Sequence, residues 1–246
     1  MPDLTKSLIP QLLNHRLPDL NLGDGNVTPD YSGFSILNIP NLLCQIFDIP
    51  PMVSGKVPAI LLDPSILNCQ HIILILIDAL SFTRFQRWTE GGFFPLWADL
   101  AKEGIFAPLT SSVPSTTSAA LTTLWTGRST REHAIAGYEL WLKEYGMVVN
   151  SILQIPMSFQ DRPGSLIKAG FTPQEFIRLP TLGTHLVQNN IQPFAFQHHS
   201  IARSGLSQML LQDVNIQPFS STADLWVNAR LTLEHNSNKR NLLWVY

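Results

Sequence analysis

The longest clean run of apolar positions, Ile72-Ile73-Leu74-Ile75-Leu76-Ile77, ends on a carboxylate, Asp78. A β-branched run of this length predicts a strand buried on both faces, as parallel strands are. Beyond it the pattern alternates. Residues 95–102 show helical spacing in Leu96, Trp97 and Leu100, with Pro95 suited to the first turn and Gly104 to the stop. Residues 105–109 predict a short strand. Residues 117–125 predict a helix closed by Gly127, and 147–152 a strand. The stretch 154–164 reads as a loop around Pro156 and Pro163. Helices are predicted at 181–189, 201–211 and 223–235, and strands at 192–198 and from 242 to Tyr246. This β-α alternation predicts an α/β fold: a mainly parallel sheet with helices on both faces.

Residues 1–70 are rich in Pro, Asn and Leu with little periodicity. Residues 40–47 predict a short helix, with Asn38 as its cap and Pro50-Pro51 beyond its end. Residues 57–62 predict a short strand. The division expected is an N-terminal arm, 1–70, packed on a main domain, 71–246. There is no internal repeat and no low-complexity tract.

Composition narrows the function classes. The chain has 246 residues, 45% hydrophobic and 14% charged, enough to bury a sizeable core. A net charge of −2 argues against nucleic-acid binding by bulk electrostatics, and no Lys/Arg block suggests a membrane patch. The 72–77 run is far short of the ~20 residues that span a bilayer. The start, Met1-Pro2-Asp3-Leu4-Thr5-Lys6, lacks a basic region followed by an apolar core, so no signal peptide is expected. Cys44 and Cys69 are isolated and read as two reduced thiols in a cytoplasmic protein rather than a disulfide.

The candidate chemistry lies in two places. Asp78 falls just past the carboxyl end of a predicted parallel strand, where open α/β sheets place their ligand sites. Some 40 residues later comes Ser111-Ser112-Val113-Pro114-Ser115-Thr116-Thr117-Ser118, leading into Ala119-Ala120-Leu121-Thr122-Thr123-Leu124-Trp125-Thr126-Gly127. This segment reads as a loop feeding a helix with hydroxyls at its mouth. A threonine hydroxyl needs a base or a metal before it can attack. The helix start adds free N–H groups and the positive end of the dipole, both suited to a phosphate oxygen. Asp78 can equally cap the next helix, and residues 115–118 can all be ordinary helix caps. The pairing of a carboxylate with a helix-mouth hydroxyl at one sheet edge is more specific than either part.

Leu74-Ile75-Leu76-Ile77-Asp78-Ala79-Leu80 resembles the strand-plus-Asp-Gly signature of the alkaline phosphatase superfamily. Residues 113–127 resemble the nucleophile segment of its type I phosphodiesterase/nucleotide pyrophosphatase branch. Glu132-His133-Ala134-Ile135-Ala136-Gly137-Tyr138 resembles the segment that follows there. The resemblance runs from about residue 70 to the end, weakly between 150 and 240. It implies that 71–246 is the N-terminal part of an alkaline-phosphatase-like catalytic domain. It implies a hydrolase cleaving a small-molecule phosphodiester or pyrophosphate with two divalent metal ions, usually zinc. Thr117 matches the nucleophile, which also bridges the metals, and Asp78 matches a ligand of one of them. The Ser118 N–H matches the amide holding a non-bridging phosphate oxygen.

The sequence departs from that family in three ways. Ala79 stands where the family usually has Gly. Ala120 stands where some members carry an Asn that contacts phosphate. The family's other metal ligands, an Asp with a His a few residues on, an Asp-His pair and a further His, have no match here. The chain stops inside an apolar strand-like run, and the family pattern puts the first missing ligand just beyond Tyr246. The resemblance therefore implies a chain lacking its C-terminal part and inactive, or nearly so, by itself. A phosphomonoesterase, phosphomutase or sulfatase relative is an alternative on the same scaffold, although no Cys/Ser-x-Pro-x-Arg motif lies near Pro114. A non-catalytic module binding an anion or a partner is another.

The remaining candidates are weaker. His198-His199 follows a predicted strand, where neighbouring side chains point to opposite faces and share an ion awkwardly. His133 is expected to brace its loop, and His71 lies at the edge opposite Asp78. Arg128 and Arg131 read as solvated loop charges that could also reach a phosphate. Trp125, Trp141 and Trp226 read as core.

Overall fold

The computed structural model describes residues 3–158 and 165–246. Near the N-terminus, Leu4, Leu8 and Leu12 recur every four residues and form the buried stripe of α1 (Thr5–Asn14). The stripe packs on Ile105 and Ala107. A 3-10 turn, Ile36–Asn38, leads into α2 (Ile39–Ile46), with Pro40 in its first turn. The Asn38 side chain does not cap α2. It accepts from the Ser35 N–H at 3.2 Å and so closes a capping box on the 3-10 turn. The strand expected at 57–62 is a 3-10 turn, Ala59–Leu61. It follows Pro58, which has no N–H to give a ladder.

The apolar run forms β1 (His71–Ile75). Next come α3 (Phe82–Glu90), capped by the Ser81 hydroxyl, and α4 (Pro95–Glu103), with Pro95 in its first turn and Gly104 at its end. Aromatic pairs join these two helices: Phe85 lies 5.9 Å from Trp97, and Trp88 5.4 Å from Phe94, between ring centroids. Helix α3 was not expected from the sequence. Residues 105–109 form no strand. Their backbone pairs with the N-terminal residues in isolated parallel bridges, Asp3 to Phe106 and, just beyond, Ser35 to Thr110.

Then follow α5 (Thr117–Thr126), α6 (Thr130–His133), β2 (Glu139–Leu142), β3 (Met147–Asn150) and β4 (Ile155–Pro156). The three strands form a small antiparallel sheet in the order β2-β3-β4. Residues 159–164 of the expected 154–164 loop lie outside the described residues. The chain continues through α7 (Ser165–Lys168), α8 (Pro173–Phe176), α9 (Leu182–Gln188), β5 (Ile191–His198), α10 (Gly205–Leu210), β6 (Asn215–Phe219), α11 (Thr222–His235) and β7 (Arg240–Val245). Strand β6 contains Pro218 and lacks an apolar run, which hid it from the pattern.

The main sheet has the order β1-β7-β5-β6, and every pair is parallel. On one face Ile72 and Leu74 stand opposite Leu242 and Trp244 and join the core with α5, α9 and α10. On the other face Leu243 and Val245 pack under Leu225 and Ala229 of α11. Helices therefore flank both faces. Strand β1 is at the edge, however, and α11 does not cover it. Ile73 is 45% exposed and Ile75 37%. This corrects the expectation that β1 is buried on both faces: its odd residues line up with a covered face but lie beyond the helix that covers it.

Burial separates the two cysteines, both unpaired. Cys44 is fully enclosed, and burial pushes its thiol up to about 11. A thiol reagent at neutral pH should label the half-exposed Cys69 in the native protein and reach Cys44 only on unfolding, because the thiolate is the reactive form. Peptide mass mapping checks this; comparable native labelling of both would contradict the packing.

Candidate active site

Parallel pairing carries the carboxyl ends of β1 and β7 to the same edge. The Leu76 N–H donates to the Val245 carbonyl at 2.9 Å, and the Tyr246 N–H to the Phe196 carbonyl at 3.0 Å. Asp78 lies two residues past that last ladder bond of β1. Its Oδ1 accepts the Ala79 N–H at 2.7 Å. Its Oδ2 accepts the Thr117 hydroxyl at 2.9 Å and the Tyr246 phenol at 3.0 Å. The structure thus brings Asp78 and Thr117, 39 residues apart, into direct contact.

The turn after Asp78 is tight. Ala79 has φ +58°, in the left-handed region. Glycine takes this conformation freely, whereas alanine is strained there by roughly 1–2 kcal/mol. That is a physical reason for the glycine usual at this position.

Helix α5 delivers Thr117. Thr116 is the N-cap and Thr117 the first helical residue, so Thr117 is not itself the cap. No side chain caps this end: the Thr116 Oγ1 is buried without a partner, and so is the Ser118 Oγ. The N–H groups of the first turn, including that of Ser118, have no intrahelical partner. Farther along, the hydroxyls of Thr122 and Thr126 bond back to the carbonyls of Ser118 and Thr122, both at 2.7 Å, which lets a threonine-rich helix be buried. Trp125 packs on Trp244 of β7 with ring centroids 4.3 Å apart, fixing α5 against the sheet. Gly127 ends the helix at φ +62°, and a Cβ there would meet Val53 at 3.0 Å.

Two spaces flank Thr117. One is a cleft of about 560 Å³ between the end of β1, the 3-10 turn and α5; Asp78, Ser115 and Thr117 are among its few polar groups, and Ala120 lies on its wall. The other is a small, mostly apolar pocket of about 70 Å³ bounded by Trp244, Tyr246 and Gln197. A larger polar cleft opens at the amino edge of the sheet and contains none of the motif residues.

Tyr246 was missed by sequence reasoning. Burial, and then the neighbouring Asp78 charge, raise its phenol above the usual range, so it stays a neutral donor. A signal existed in its place at the end of an apolar strand. Which strand lies beside it is decided 170 residues away, in the pairing of His71 with Asn241.

The other candidates are placed apart from this pair. Arg128 binds Glu132 at 3.1 Å, and Arg131 is exposed. His71 meets Asn241 at the opposite edge. The rings of His198 and His199 lie 4.2 Å apart, because the strand ends at His198 and the chain turns; the expected opposite orientation does not hold. Trp125 is core, but Trp141 and Trp226 are 62% and 42% exposed.

His133 braces the loop, as expected. Its Nδ1 accepts the Ile135 N–H at 3.1 Å, so Nε2 carries the proton and donates to the Thr123 hydroxyl of α5 at 3.0 Å. Burial pushes its pKa down to about 4 from 6.5. Protons therefore bind the unfolded chain first, and the contribution present above pH 6.5 is lost as pH falls toward 4. The loss should approach roughly 3 kcal/mol across that window. Denaturant melts at several pH values should show a shallower acid dependence for His133→Gln than for wild type; equal slopes would contradict the assignment.

Comparison with known proteins adds one finding. The family model for type I phosphodiesterase / nucleotide pyrophosphatase matches residues 72–161. This segment is similar to that family over less than half of the chain. The match takes in Asp78, Thr117 and the His133 loop, so the contact just described lies inside the matched segment. At the level of the family the activity is that of a phosphodiesterase/pyrophosphatase-type hydrolase acting on a small-molecule phosphoric ester, and the family is generally metal-dependent. No curated protein and no solved structure matches the chain. Among the described residues, no helix is long and apolar enough to cross a membrane.

The donor set can be tested against a metal. Two oxygens 2.9 Å apart, one a carboxylate and one a hydroxyl, suit adjacent ligands of one divalent cation. Among the described residues no group of three or more His, Cys, Asp or Glu side chains is placed to hold a metal ion. Asp78 and Thr117 fit part of a site; a closed zinc site takes four donors.

Proposed function

We propose that residues 71–246 form part of an alkaline-phosphatase-like catalytic domain, with residues 1–70 as an arm packed on it. In this domain Thr117 is the nucleophile of phosphodiester or pyrophosphate cleavage. The observation that carries this is the 2.9 Å contact of Thr117 Oγ1 with Asp78 Oδ2 at the carboxyl edge of a parallel sheet, within the family-matched segment.

Asp78 orients the Thr117 hydroxyl by accepting its hydrogen bond, so the oxygen's other lone pairs are free to face phosphorus. Thr117 Oγ1 loses its proton to water and forms the new P–O bond as the P–O bond to the ester or phosphoanhydride oxygen breaks; that oxygen takes up a proton from water, and a second water later cleaves the phospho- or nucleotidyl-threonine. The Ser118 N–H, in the uncapped first turn of α5, holds a non-bridging oxygen against the helix dipole. Asp78 and Thr117 would hold one of two divalent cations, zinc by family habit, which when bound lowers the pKa of the hydroxyl and offsets charge on the phosphoryl group. Two such ligands are too few, so we expect residues 1–246 alone to turn over substrate near background.

In enzyme with its full ligand set, acid quench during turnover followed by peptide mapping should find the phosphoryl or nucleotidyl adduct on the peptide containing Thr117. An adduct elsewhere would refute the assignment. Bis(p-nitrophenyl) phosphate should be the better substrate than p-nitrophenyl phosphate; the reverse preference would point to a phosphomonoesterase on the same scaffold.

A further inference from the structure

We propose that Tyr246 is a positioning residue of this site: its phenol O–H fixes the Asp78 carboxylate in the orientation that presents Oδ2 to Thr117. The inference rests on the roles proposed above for Asp78 and Thr117.

Asp78 is exposed and sits on a turn, outside any regular element. A carboxylate so placed rotates unless both of its oxygens are held. The Ala79 N–H holds Oδ1 at 2.7 Å, but this donor belongs to the same turn and moves with it. Besides the nucleophile Thr117 itself, Tyr246 is the donor that reaches Asp78 from outside the turn. Its backbone is tied into the sheet by the bond from its N–H to Phe196, and its ring lies 5.9 Å from that of Trp244. Trp244 in turn is buried against Trp125 of α5, the helix that carries Thr117. The phenol is therefore referenced to the same rigid frame as the nucleophile, the condition for holding a site to sub-ångström tolerance.

The chemistry of the donor also matters. A lysine or arginine at this place would neutralise the carboxylate and compete with a cation. A phenol contributes direction without charge. An ionised carboxylate has about four lone-pair sites, so Oδ2 can accept from Tyr246 and Thr117 and leave capacity for a cation. Hydrogen-bond partners behind ligating carboxylates typically change metal affinity by about 10–100-fold when removed.

The test uses Mn²⁺ as a paramagnetic probe on the isotopically labelled 1–246 chain, which detects weak sites. Broadening of the Ala79 and Ser118 amide resonances is followed as Mn²⁺ is added. Tyr246→Phe keeps the ring and removes only the O–H, so the melting temperature should hold while the broadening midpoint shifts to about tenfold higher Mn²⁺. In the Asp78→Ala background, which leaves no oxygen to accept the phenol, the same change should have no further effect, since Tyr246 acts through Asp78. A midpoint unchanged by Tyr246→Phe, with Asp78→Asn still shifting it, overturns the Tyr246 role and leaves the metal role of Asp78 standing. A Tyr246 effect that persists without the Asp78 carboxylate also overturns it. No local broadening in wild type, or none lost in Asp78→Asn, defeats the metal assignment and this inference together.

Discussion

Thr117→Ala should lower kcat by about 10⁴-fold or more, the scale seen when a covalent nucleophile is deleted. The fold should survive. Thr117 is the first helical residue and not the cap, and its hydroxyl makes one bond, to the exposed Asp78. Losing a bond of this kind costs about 0.5–1.5 kcal/mol, a shift of a few degrees in melting temperature for a chain of this size. The core under α5 does not involve the hydroxyl: Leu121 and Trp125 make the packing. Steady-state kinetics and a thermal melt on enzyme with its full ligand set decide the matter. Normal turnover in the alanine variant would remove the nucleophile assignment, and collapse of the melt would mean that the residue is structural instead.

Asp78→Asn is expected to have the second largest effect. Asparagine keeps an oxygen that can accept from Thr117 and Tyr246, so the local hydrogen bonds can persist. What is lost is the negative charge, the main reason a divalent cation chooses this position. Loss of a direct ligand should weaken binding by at least about 100-fold, the upper end of what removing a mere supporting partner does. Metal analysis of the purified protein after dialysis reads this directly, and turnover should fall with it. A variant that retains the wild-type metal content would show that Asp78 serves only the turn after β1.

Part of this architecture was legible from local pattern. The 72–77 run marked β1, Pro95 and Gly104 framed α4, and Gly127 closed α5, because period, caps and breakers act within a few residues. The misses have local causes too. Pro58 and the isolated bridges at Phe106 and Thr110 turned two apolar stretches into non-strands. Strand β6 has neither alternation nor an apolar run, and it is placed by pairing with β5. Exposure of Ile73 and Ile75 could not be read from their identity, since it depends on where α11 stops covering the sheet.

The sequence by itself determined that a carboxylate follows a strand and that hydroxyls open a helix, because short-range periodicity and helix-start chemistry write both into neighbouring residues. Only the tertiary structure decided that Asp78, Thr117 and Tyr246 share one oxygen. That convergence depends on β1 pairing with β7 and on Trp125 docking against Trp244, contacts between residues far apart in the chain. Side-chain burial and strand order select such contacts collectively, and no window of the sequence contains both partners.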